Sequence, residues 1–140
     1  MAIRIKDYDD LKTRLTETGD RLALIYFMTT WCVPCQVFGP KLDELAIEMQ
    51  DAIVIFKVDC DECSDIAPEY TTHRHPDGLM GIAVPTIIFI KNDMIIEEFV
   101  FVKTCNMMQE FCGVNVEKLK NTIHNIRLNL YFNNININGS

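Results

Sequence analysis

An unbroken apolar run, Leu22-Ala23-Leu24-Ile25-Tyr26-Phe27-Met28, leads almost directly into Trp31-Cys32-Val33-Pro34-Cys35. A short run that is apolar at every position reads as a strand covered on both faces, and such strands belong to sheets with helices packed on either side. The residues that follow carry a helical pattern: Val37, Phe38, Leu42, Leu45 and Met49 recur at spacings of one face. Strand, Cys-x-x-Cys and helix therefore meet within a few residues. Two cysteines at this spacing on a helix start can close a small disulfide and reopen it. Cys32 falls at the helix N-terminus, where free N–H groups and the macrodipole favour a thiolate, the form that attacks disulfides. Cys35 falls in the first turn, within reach of a mixed disulfide on Cys32. Pro34 suits that turn because its missing N–H has no intrahelical use there. Zinc sites also use Cys-x-x-Cys, so the pair alone leaves metal binding open.

The rest of the chain supplies the sheet. Ile3 and Ile5 alternate with Arg4 and Lys6, as in a short strand over residues 2–6. Asp7 is a good N-cap for a helix with Tyr8, Leu11 and Leu15 on one face, which Gly19 ends. Residues 52–58 form a second buried strand, and Cys63, Ile66, Ala67 and Tyr70 share one face of a short helix. Pro85 to Ile90 reads as a strand, Asn92-Asp93 as a hairpin turn, and residues 94–102 as the returning strand. Val116, Leu119, Ile123 and Ile126 mark a last helix. The order β-α-β-α-β-α-β-β-α implies early parallel pairing and a late antiparallel hairpin.

With Trp31, Pro34, the proline at position 40 and Val84-Pro85-Thr86 in this order, the chain resembles the thioredoxin family, whose pattern is Trp-Cys-Gly-Pro-Cys, a proline five residues on, and a late cis-proline followed by Thr. The resemblance spans residues 2–127 and implies an α/β thioredoxin fold: three layers, α/β/α, around a five-stranded mixed sheet. It implies two insertions, about nine extra residues near 71–80 and about twelve near 100–112, read as loops that reshape partner binding or as neutral surface growth. Residues 128–140 are an Asn-rich tail, expected to be disordered, with a hairpin or added edge strand as the alternative.

By the same resemblance, Cys32 is the nucleophile and Cys35 the resolving thiol of a protein-disulfide reductase. Trp31, Val84, Pro85, Thr86, Cys60 and Gly113 form the surface for an extended substrate segment, with Pro85 cis. Electrons come from NADPH through a separate thioredoxin reductase-like enzyme. No Gly-rich dinucleotide motif is present, so no bound cofactor is expected. The competing class is a thioredoxin-fold binding or regulatory protein with little turnover.

Four positions depart from the family or modulate its site. Val33 stands where the family has Gly, and Met28 replaces a frequent aromatic. Tyr26 occupies the place of a buried Asp thought to move a proton at the second cysteine; a phenol ionises around pH 10 and cannot be a carboxylate base near neutrality. Lys57 matches the lysine that partners that Asp, and here either bonds the Tyr26 hydroxyl or snorkels to the surface. Cys60 and Cys63 form a second Cys-x-x-Cys. They are read as a regulatory redox pair, as ordinary thiols or, with the first pair in Cys-x2-Cys-x24-Cys-x2-Cys spacing, as zinc ligands. Trp31 and Pro34 weigh against metal, and none is expected. His73 and His75 are read as solvated loop residues, and His124 as exposed.

Composition narrows the partners. A net charge of −7 with scattered basic residues makes nucleic-acid binding unexpected. No apolar run reaches the roughly 18 residues of a membrane span. Six cysteines would suit a secreted disulfide scaffold, but half the residues are hydrophobic, 49%, enough for a core without staples. The first residues lack a signal-like apolar stretch, so the cytoplasm is the expected location.

Overall fold

The computed structural model describes residues 1–70, 84–102 and 107–138, leaving aside the side chains at 109 and 134–138. The expected insertion near 71–80, with His73 and His75, and Cys105 in the second insertion lie outside the described residues. Two compact units are present, Met1–Phe101 and Val102–Ser140.

In the first unit the chain runs β1 (Ile3–Arg4), α1 (Tyr8–Thr16), β2 (Leu22–Met28), α2 (Val33–Glu48), β3 (Ile53–Asp59), α3 (Ala67–Tyr70), β4 (Thr86–Lys91) and β5 (Met94–Phe99). The five strands form one sheet in the order β1-β3-β2-β4-β5. β3 pairs parallel with β1 and β2, whereas β4 is antiparallel to β2 and β5. The expected mixed sheet is thus present, with the apolar run of β2 at its centre.

Local chemistry explains the elements. Asp7 caps α1 by accepting a hydrogen bond from the Asp10 N–H at 2.7 Å, satisfying an otherwise orphan donor. Asn92 and Asp93 both take positive φ, 52° and 61°, the conformation that joins two strands through a tight turn matched to their twist. β5 stops at Phe99, short of the expected residue 102, and its pairing with β4 shifts register between Phe89 and Ile90.

Strand alternation sends side chains to two faces. Ile25 and Phe27 of β2 join Leu11 and Leu15 of α1, Phe56 and Val58 of β3, Ile66, Ala67 and Ile88 in one core. Tyr26 faces the other way, where its ring lies 6.5 Å from that of Phe38 on α2. Phe38 in turn meets Phe101, and Phe101 meets Phe99, each pair edge to face. These aromatic contacts, together with the burial of Leu42 and Leu45 on the same helix, seat α2. Val37, expected on the apolar face of α2, is instead exposed.

The second unit is built on α4 (Met108–Asn138). Cys112, Asn115, Leu119, Ile123 and Ile126 are buried among its described side chains, at helical spacing. Asn115 donates to the carbonyls of Val102 and Phe111 and accepts from the Val102 N–H, so its buried amide is satisfied. Neither expectation for the tail holds: residues 128–138 continue α4 as helix. No proline or glycine lies between Gly113 and Gly139 to stop it, and Leu128, Leu130, Tyr131 and Phe132 carry adequate helix propensity between the asparagines. No described helix is long and apolar enough to cross a membrane.

Candidate active site

β2 delivers the site. It ends at Met28, and the Thr29 carbonyl then accepts a bond from the Cys32 N–H at 3.4 Å, turning the chain into α2. Cys32 is the N-cap of α2, and its sulfur accepts a bond from the Cys35 N–H at 3.3 Å. A thiolate at Cys32 would therefore receive a directed donor in addition to the helix dipole. Pro34 stands in the first turn as expected. Cys32 and Cys35 form a disulfide with Cα atoms 5.2 Å apart. Both are buried, Cys35 the more deeply.

Around the disulfide, Trp31 is 68% exposed and its indole N–H donates to Asp61 at 2.9 Å. Val33 is also exposed, so the residue that replaces the family Gly adds apolar surface beside the sulfurs. The Val84–Pro85 peptide bond is cis. Both of these residues are half-buried, and Thr86, at the start of β4, is buried. Thr86 pairs with Phe27, and Cys60 donates its N–H to the Met28 carbonyl at 2.9 Å. The structure thus anchors Thr86 and Cys60, the one with Val84 and Pro85 before it and the other beside Asp61, at the end of β2 that leads to Cys32. Gly113, expected on the same surface, stands inside α4 of the second unit; among the described residues, nothing beyond its chain neighbours and its own helix backbone comes within 4 Å of where a Cβ would lie.

Tyr26 is 1% exposed and its hydroxyl donates to the Cys35 carbonyl at 3.2 Å. Lys57, opposite Tyr26 in the β2–β3 register, is half-buried. The second cysteine pair is free. Cys63 is buried and its thiol donates to the Lys6 carbonyl at 3.3 Å. Burial, with Glu62, Asp65 and Asp59 adding to it, pushes the Cys63 thiol up. The Cys60 thiol is pushed up to about 12, first by burial and then by Asp59 and Asp61.

Two participants have no sequence signal. Asp61 lies 30 positions from the indole it holds, a separation without periodicity. Thr29, buried at 3% exposure, has a hydroxyl with no hydrogen-bond partner among the described residues. A buried hydroxyl without a partner costs about 1–3 kcal/mol, so Thr29→Val, of similar shape, should stabilise the fold by about 1 kcal/mol. A urea titration showing a lowered midpoint for Thr29→Val would count against this.

The family model for thioredoxin matches residues 4–123. The chain belongs to the thioredoxin family. Among curated relatives, thioredoxin-T of Drosophila melanogaster is 36% identical over 121 residues, 84% of this chain and 71% of that protein. Mitochondrial thioredoxin of Mus musculus is 29% identical, and the match covers 79% of this chain and 60% of that protein. Among solved structures, reduced thioredoxin of Schistosoma mansoni superposes with a TM-score of 0.66 at 27% identity, covering 89% of this chain and 96% of that one. The sheet, its helices and the Cys32–Cys35 pair are those of the thioredoxin fold. The chain is thus a thiol–disulfide oxidoreductase of the protein-disulfide reductase class, a family whose chemistry runs on two sulfurs without a bound cofactor.

Proposed function

We propose that this protein reduces disulfides in other proteins, with Cys32 as nucleophile and Cys35 as resolving thiol. The observation that carries the reading is the Cys35 N–H aimed at the Cys32 sulfur at 3.3 Å on a helix N-terminus. Cys32 thiolate attacks one sulfur of the substrate disulfide, and the other leaves as a thiolate that is protonated by solvent. Cys35 thiolate then attacks the Cys32 sulfur, the mixed disulfide breaks, and the second substrate sulfur leaves. The substrate gains two electrons and the chain is left with the Cys32–Cys35 disulfide.

The substrate segment lies extended across Trp31, Val84, Pro85, Thr86 and Cys60, with backbone groups of Val84 pairing to it as an added strand. On the family pattern Gly113 also takes part in binding substrate. Two electrons must return to the disulfide after each cycle, and a separate reductase using NADPH is the proposed donor. A dithiol that works reduced suits a reducing compartment, and the cytoplasm is the proposed one. The test is turnover of insulin disulfides with NADPH and a thioredoxin reductase present. Sustained NADPH oxidation is expected. Binding of insulin without turnover would favour the alternative of a thioredoxin-fold binding protein.

A further inference from the structure

The Cys35 backbone is held on both sides. Its N–H donates to the Cys32 sulfur at 3.3 Å and its carbonyl accepts the Tyr26 hydroxyl at 3.2 Å. The second bond comes from a side chain 1% exposed in the central strand, whose ring is wedged against Phe38 on the same helix. Both rings are fixed, so the hydroxyl cannot swing away without repacking the aromatic layer. The helix needs such support at this place. Pro40 lies inside α2 and has no N–H for the carbonyl of residue 36, so the ladder is broken one residue beyond Cys35.

We propose that Tyr26 is a positioning residue for the resolving step. Its hydroxyl holds the Cys35 backbone where the Cys35 sulfur meets the Cys32 sulfur. The inference rests on the dithiol mechanism above. In that step the bond from Cys32 to the substrate sulfur breaks, the Cys32–Cys35 bond forms, and the electron pair departs on the substrate sulfur, which takes a proton from solvent. Tyr26 exchanges no proton here; it restricts the arrangements of Cys35 to the one that reacts, which raises the effective concentration of one sulfur at the other.

Tyr26→Phe keeps the ring and removes only the hydroxyl. Two rates separate its role. The first is attack of Cys32 on a peptide disulfide, measured in a Cys35→Ser background where no resolution follows. The second is decay of a Cys32-linked peptide in the presence of Cys35. A neutral hydrogen bond is worth about three- to tenfold in an equilibrium. Tyr26→Phe should therefore lengthen the lifetime of the mixed disulfide about three- to tenfold and leave the attack rate within about twofold. The Cys32–Cys35 disulfide should shift toward the dithiol by a similar factor when equilibrated with glutathione. Equal lifetimes with and without the hydroxyl would overturn the inference, and so would an equal slowing of both steps, which marks a general loss of structure. If the chain with Tyr26 intact formed no mixed disulfide at all, the dithiol mechanism itself would fall.

Discussion

Cys32→Ser should abolish insulin reduction, a loss on the order of 10³-fold or more, as expected when the nucleophile of a covalent mechanism is removed. Cys35→Ser should behave differently. Cys32 keeps its place as N-cap of α2, with the N–H of residue 35 still directed at its sulfur, because that bond comes from the backbone. Attack then proceeds and stops. A mixed disulfide between Cys32 and the substrate should accumulate, visible as a shifted band without reductant and lost on adding it. The two outcomes distinguish the roles, since the variants differ only in which sulfur is missing. A fully active Cys32→Ser protein, or a Cys35→Ser protein that turns over normally, would refute the assignment.

Much of the fold, and the start of the site, was legible in the sequence because the signals are local. Asp7 as a cap, Asn92-Asp93 as the hairpin turn and Cys32 at the start of α2 each depend on a few neighbouring residues. The cis bond before Pro85 was not local, and only the family pattern implied it. In β2 every residue is apolar, so period-two alternation cannot say which face Tyr26 takes, and the target of its hydroxyl came only with the fold. The indole–Asp61 bond joins two loops far apart in sequence, and no pattern of residues marks it. The tail misled for a physical reason. Asparagine breaks helices only weakly, and its alternation with isoleucine imitates a strand, but a helix already nucleated upstream extends through such residues at little cost.

Cys60 should resist oxidation and alkylation, despite its place near an active thiol and its Cys-x-x-Cys spacing with Cys63. Its thiol is pushed from the ordinary 9.0 up to about 12, first by burial and then by the carboxylates of Asp59 and Asp61 on either side. Near neutral pH a rise of that size lowers the thiolate fraction about 10³-fold. A more basic thiolate is also a better nucleophile, by about 20-fold over the same interval, so the net slowing is about 50-fold. Cys63, buried and donating to the Lys6 carbonyl, is pushed in the same direction. A regulatory pair needs at least one thiol that ionises readily, and neither has the surroundings for it. The measurement is peptide mapping after brief treatment with iodoacetamide or peroxide, against the same chain unfolded in urea. Labelling of folded Cys60 should rise about tenfold per pH unit and pass pH 9 without levelling. The same shift bears on stability. Below about pH 9 the thiol is neutral in both states; between about 9 and 12 only the unfolded chain's thiol ionises, so stability falls through that window, and Cys60→Ser should soften the fall. Folded Cys60 labelled at pH 7 as fast as in urea would sink this account, and would return the pair to the regulatory role its spacing suggests.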